Sequence, residues 1–122
     1  PVRVLTDSAH TVYHSTLPVP SRAAPRADGK TTLIWFSGTW CEFCERMEPF
    51  AHNTASRFRD RLVFAEKSVD HDRTAASLYT VRGTPTFVLV DPVGDEITRF
   101  HYQTSASAFA DIILSALGLF DG

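Results

Sequence analysis

The chain has 122 residues, enough for one domain that hides about two-thirds of its unfolded surface. Hydrophobic residues at 43% and charged residues at 21% are the balance of a soluble globule and exclude a disordered chain. A net charge of −2 offers no attraction to nucleic acid or an anionic membrane, and no apolar run nears the roughly 20 residues that cross a bilayer. The first residue is Pro1, with neither an initiator Met nor a basic-then-apolar leader, as expected of a processed or trimmed chain in which an export signal would not be visible.

Residues 1 to 30 are the least patterned. "VRVL" alternates around Arg3 as a first strand would, and "LPVPSRAAPRADGK" carries three prolines and an Asp-Gly turn signal, so it reads as extended connection. Two readings stand for this part: a loosely packed leader, or an ordered first strand and helix. "TTLIWF" from Thr31 is a continuous apolar and β-branched run, the pattern of a central strand buried on both faces. "SGT" breaks it, and a helix is expected from about Cys41. There Phe43, Met47, Phe50, Thr54 and Phe58 recur at three- or four-residue spacing as its apolar stripe, with Pro49 expected to interrupt and kink it.

Leu62 to Val69 reads as the next strand, "RTAASLY" as a short helix ending near Tyr79, and Thr86 to Asp91 as a further strand. "PVG" then turns the chain into "EITRFH", and "ASAFADIILSAL" closes the chain as a helix with Phe109, Ile112, Ile113, Ala116 and Leu117 on one face and Gly118 as its stop. Phe58, Phe64, Phe87, Phe100 and Phe109 read as core. A crossover gives parallel pairing and a tight turn gives a hairpin, so the expected class is α/β, a central mixed β-sheet with helices on both faces. No internal repeat is visible.

The only two cysteines stand three apart in "TWCEFCERMEPF", Thr39 to Phe50. As a structural disulfide the pair closes so small a loop that it constrains the unfolded chain little. A metal clip and a redox-active dithiol remain open. His10, His14, His52, His71 and His101 could complete a Zn or Cu(I) site, but none stands at ligand spacing from the cysteines and no second CxxC exists.

"WCEFC" after a buried strand, Pro49 eight residues past Cys41, and "VRGTPTFVLV" before the hairpin together resemble the thioredoxin-like family of thiol:disulfide interchange proteins. The resemblance covers about Thr31 to Leu117. It divides the chain into an N-terminal segment, 1–30, partly extended, and a thioredoxin-like domain, 31–122, the two amounting to one domain. It implies a thiol–disulfide oxidoreductase that reduces protein disulfides through Cys41 and Cys44, with no cofactor beyond that redox-active disulfide and no metal. It implies as partners protein or peptide disulfides and an electron donor, with no nucleic acid and no membrane span, and a monomeric state. The alternatives are a Cu- or Zn-handling module on the same fold, or a redox-inactive interaction domain with a vestigial dithiol.

Exchange needs a thiolate that attacks a disulfide and a second thiol that resolves the mixed disulfide. Cys41, expected at the helix N-terminus where unpaired N–H groups and the dipole favour the thiolate, is the candidate attacker, and Cys44, nearly a turn later, the resolver. Trp40, where the family has a Trp before the first Cys, and Phe43 are expected to contact substrate, with Tyr79 as a further candidate for the same apolar rim. Pro85 falls at the family's cis proline; the backbone of Thr84 before it pairs with the substrate peptide as an added strand, and the proline keeps metals off the dithiol.

Departures from thioredoxin proper carry information too. Glu42 and Phe43 replace Gly-Pro between the cysteines, and Glu42, with Glu45 and Glu48 near it, opposes the Cys41 thiolate and makes the couple more reducing. Alternatively these acids only complement the dipole of an exposed first turn. The family's buried Asp under the resolving Cys aligns with Trp35, and the Lys that partners it with Glu66. A buried Glu66 is then the candidate proton relay, the alternative being an edge-exposed acid without a role. Together the departures imply a divergent member serving specific partners, on the periplasmic or secreted side of a bacterium in preference to its cytoplasm.

Overall fold

The computed structural model describes residues 17–39 and 41–118 in full, and the backbone alone of two strands before them, β1 (Val2–Leu5) and β2 (Thr11–His14). β1 and β2 pair with each other as an antiparallel hairpin, separate from the main sheet. The expected first strand is therefore present, but its partner is a second strand where a helix was the alternative.

Residues 17–30 have no regular structure, yet they are not a loose leader. Lys67 donates from Nζ to the Leu17 carbonyl at 2.7 Å, and the Arg26 amide donates to the Pro92 carbonyl at 2.9 Å. At Gly94, in the turn beyond, φ is +87°, and a Cβ there would stand 2.1 Å from the Pro20 carbonyl oxygen. Only glycine allows the proline-rich strap to lie so close. Prolines fix φ and remove donors, so this segment holds an extended path at reduced entropic cost and is tied down by the donors of its neighbours.

The main sheet has four strands in the order β4 (Leu62–Ser68), β3 (Thr31–Ser37), β5 (Thr86–Val90), β6 (Glu96–Phe100). β3 pairs parallel to β4 and antiparallel to β5, and β5 antiparallel to β6. β3 is central, and its continuous apolar run is buried on both sides, as the sequence requires. Leu33, Trp35, Phe87 and Leu89 meet two helices on one face, α1 (Glu42–Arg57) and α3 (Ala106–Ala116). Ile34, Phe36, Val88 and Val90 meet α2 (Arg73–Leu78) on the other. The expected mixed sheet with helices on both faces is what the chain forms.

α1 differs from its expected pattern. Its buried positions are Cys44, Met47, Ala51 and Thr54, while Phe50 and Phe58 are half-buried against the same core. Phe43 is 47% exposed, because it lies one residue, about 100° of rotation, off that stripe. Pro49 sits inside α1 without interrupting it, although it has no N–H to donate to the preceding turn. Within the core below α1, Phe87 stacks on Phe100 with centroids 4.9 Å apart, and Phe109 meets Phe87 edge-on at 5.0 Å. These contacts anchor α3 to the sheet, and Gly118, with φ +72°, follows its C-terminal end.

Strand directions decide where chemistry can sit. β3 ends at Ser37 and runs into α1, whereas antiparallel β5 begins at Thr86, paired with Phe36. β6 ends at Phe100, paired with Phe87. Three connections therefore converge on one end of the sheet: the one that follows Ser37 and leads to Cys41, residues 83–85, and residues 101–105.

Candidate active site

Cys41 is the N-cap of α1: its backbone is extended, and its sulfur accepts a hydrogen bond from the Cys44 amide at 3.2 Å. A cap normally satisfies one of the orphan amides of the first turn with an oxygen; here a sulfur does it. Cys41 is half-buried, Cys44 only 6% exposed, and the two form a disulfide with Cα atoms 5.2 Å apart. The first cysteine is thus partly exposed and the second covered by its own helix and the core.

Glu42 pairs with Arg46, whose Nη2 lies 2.7 Å from its Oε1 one turn on. Both groups are mostly exposed, so this pair screens the carboxylate that was expected to oppose a thiolate. The same guanidinium stands 5.4 Å from the centre of the Phe43 ring. Phe43 in turn packs on Tyr102, with ring centroids 4.7 Å apart. Tyr79, the other residue read into an apolar rim, is 7% exposed and packs on Phe36 in the α2 core, on the opposite face of the sheet. Tyr102 takes its place. Trp40 lies outside the described residues.

The Thr84–Pro85 peptide bond is cis. A Cβ on Gly38 would stand 3.6 Å from Thr84 Oγ1 and 3.4 Å from Val69 Cγ2, so the loop entering α1 runs directly past the proline loop. Behind Pro85, the Thr86 hydroxyl donates to the Gly83 carbonyl at 2.6 Å. His101 Nδ1 lies 3.3 Å from Thr86 Oγ1 and 3.4 Å from the Pro85 carbonyl. The Gln103 amide meets Met47 Sδ at 3.3 Å, one turn past Cys44.

Glu66 is 3% exposed and faces α1, where its Oε1 lies 3.6 Å from His52 Nε2. His52 follows Cys44 by eight residues, about 12 Å along the helix axis. The structure therefore puts Glu66 beneath the middle of α1, among Trp35, Phe64 and His52, away from the start of that helix where the two cysteines stand. Trp35, at the position of the family's buried acid, is 2% exposed and stacks on Phe87 at 5.6 Å.

Of the histidines weighed as metal ligands, His10 and the side chain of His14 lie outside the described residues. His52 faces Glu66, His71 bonds Ser68 Oγ at 3.0 Å, and His101 faces the proline loop. Among the described residues no group of three or more His, Cys, Asp or Glu comes together to hold a metal ion, and no helix is long and apolar enough to cross a membrane.

The family model described as Thioredoxin matches residues 24–115. The chain belongs to the thioredoxin family. The family match starts before Thr31, so it takes in part of the strap as well as the α/β core. Among curated relatives, this thioredoxin-family chain is 31% identical over 72 residues to the chloroplastic thioredoxin-like protein HCF164 of Oryza sativa subsp. japonica, covering 57% of this chain and 28% of that one. It is 31% identical over 78 residues to the thioredoxin of Pongo abelii, covering 64% of this chain and 73% of that one. Thioredoxin H2 of Arabidopsis thaliana is 36% identical over 74 residues, covering 61% and 54%. The chain thus spans less than a third of the length of the HCF164 proteins. Among solved structures, a point-mutant thioredoxin from Halobacterium salinarum NRC-1 superimposes with a TM-score of 0.66 at 27% identity, covering 81% of this chain and 88% of that one.

Tyr102, Gln103, Thr86 and Gly38 carry no signal in the sequence as site residues, and His101 stands out there only as a candidate metal ligand. "HYQT" lies in a connection between a strand and a helix, where no periodicity marks a residue as facing anything. The one available signal was topological: a hairpin strand next to the Pro85 strand must end beside Pro85.

Proposed function

We propose that this chain is a thiol–disulfide oxidoreductase that reduces disulfides of protein or peptide substrates. The observation that carries the reading is the asymmetry of the pair: Cys41, partly exposed, caps a helix with its sulfur, while Cys44 is covered. In the dithiol form the orphan amides and the positive end of α1 favour the Cys41 thiolate. That thiolate attacks one sulfur of the substrate disulfide, the substrate S–S bond breaks, and its other sulfur leaves as a thiolate that takes a proton. Cys44, deprotonated, then attacks Cys41 Sγ. The mixed disulfide breaks, the second substrate sulfur leaves as a thiolate that takes up a proton, and Cys41–Cys44 is the oxidised product. Two electrons pass from the protein to the substrate, and an external dithiol returns them.

Thr84, beside the cis bond, offers its backbone to an incoming strand, and Phe43 with Tyr102 offers apolar area beside Cys41. Glu66 is proposed as a proton acceptor that reaches the resolving thiol only through intervening solvent. Reduction of insulin with dithiothreitol as donor tests the reading. Wild type accelerates it and Cys41→Ser does not; equal rates for the two would overturn the proposal.

A further inference from the structure

The loop that offers Thr84 to a substrate is held from behind by two residues that touch neither sulfur. A peptide unit is planar, so whatever fixes the Gly83 carbonyl also fixes the Thr84 N–H at the other side of the same unit. Gly83–Thr84 is trans, since the only cis bond among the described residues is Thr84–Pro85, so that N–H points opposite to the carbonyl. Gly83 brings no side chain to hold its own peptide plane, and a Cβ there would meet nothing within 4 Å. The Thr86 hydroxyl, in a side chain 1% exposed, holds it instead by donating to the Gly83 oxygen at 2.6 Å. Among the described residues the half-buried Thr84 amide has no hydrogen-bond partner. An amide left unpaired at the end of a sheet, with its direction fixed, is ready for an added acceptor.

His101 sets the hydroxyl's direction. A hydroxyl has one proton, and that of Thr86 is spent on Gly83 at 2.6 Å. Toward His101 Nδ1, at 3.3 Å, the Thr86 oxygen can therefore only accept. The Pro85 carbonyl, 3.4 Å from the same nitrogen, can also only accept. Both contacts ask for the proton on Nδ1, so in the neutral ring Nε2 is the bare nitrogen. The chain His101 Nδ1–H to Thr86 Oγ1–H to Gly83 C=O runs one way, each donor aligned by the one before it.

We infer that Thr86 and His101 are positioning residues that aim the Thr84 amide at the backbone of an extended substrate peptide. This rests on the oxidoreductase reading and its strand partner at Thr84, and adds to it what holds that partner in place: the Thr86 hydroxyl and, behind it, the His101 ring. A small disulfide with no peptide backbone draws nothing from this aim. A protein disulfide does, and loses it when the hydroxyl is removed.

The test compares pre-reduced protein in single turnover with two probes, insulin and the aromatic disulfide dithiobis(nitrobenzoate). Thr86→Val keeps the shape and β-branching of the side chain and removes the hydroxyl. The ratio of the insulin rate to the small-disulfide rate is expected to fall about tenfold, the size of one hydrogen bond, through a higher KM for insulin. Thr86→Ser restores the ratio. His101→Ala lowers it by a smaller factor, and His101→Asn, which can put an amide N–H near the place of Nδ1, restores it in part. An unchanged ratio in Thr86→Val, or a Ser variant no better than Val, overturns the positioning role while leaving the dithiol chemistry in place. A wild type inert toward both probes overturns the oxidoreductase reading and this inference with it.

Discussion

Phe43 and Tyr102 pack ring to ring, 4.7 Å between centroids, and so join one of the two residues between the cysteines to the loop that leaves β6. The contact fixes an aromatic surface next to Cys41 although Phe43 itself is half in water. A double-mutant cycle of Phe43→Ala and Tyr102→Ala, read by urea unfolding of the oxidised protein, is expected to give a coupling of about 0.5–1.5 kcal/mol. Each single variant should also raise the KM for insulin. Additive effects on stability would show that the rings do not meet.

Glu42 is proposed to oppose a thiolate on Cys41, with Arg46 at 2.7 Å screening it in an exposed setting. On that proposal the acid destabilises the reduced form, so its removal makes the couple less reducing. For a pair this exposed the effect is small: Glu42→Gln should raise the potential by roughly 5–20 mV. Equilibration with glutathione measures it. A fall in potential would reverse the assigned sign.

Glu66 is buried beside His52 and distant from the dithiol along α1. If it accepts the resolving proton through intervening solvent, Glu66→Gln flattens the dependence of turnover on pH between about 6 and 9. Turnover unchanged across that range would leave Glu66 a structural acid paired with His52.

The proline-rich strap gives two checks. Gly94→Ala places a Cβ against the Pro20 carbonyl at a positive φ, and should cost about 2 kcal/mol or more in urea unfolding; a cost below ~0.5 kcal/mol would mean that the strap is not seated there. Asp28, clasped by the Arg26 guanidinium and by the Lys30 amide, has its carboxyl lowered from 3.8 to about 2. A lowered carboxyl contributes stability that is present above pH 3.8 and is lost as pH falls through about 2. Carboxyl carbon shifts should show Asp28 titrating near 2; a midpoint near 3.8 would mean that the clasp is not formed.

The elements that build the site were legible because burial imposes a period. "TTLIWF" could only be a two-sided strand, and Cys41 stood where that strand had to give way to a helix. Phe43 was misjudged as part of the buried stripe, since spacing alone cannot tell a core-facing position from one about 100° away at a helix start. Tyr79 was misjudged for a related reason: an aromatic at the end of a short helix has no pattern that names its face, and only the placement of α2 behind the sheet does so. Tyr102 is invisible as a site residue in the sequence, and His101 visible only as a candidate metal ligand, because loops are positioned by the strands that flank them, and their contacts at the proline loop appear only when β6 is laid beside β5.

The central claim is that Cys41 attacks and Cys44 resolves. Pre-reduced Cys44→Ser and Cys41→Ser variants, each mixed with a disulfide-containing peptide and read by intact mass, test it most directly. A stable mixed disulfide is expected on Cys44→Ser and little or none on Cys41→Ser; adduct formation at equal rates on both, or preferentially through Cys44, would contradict it.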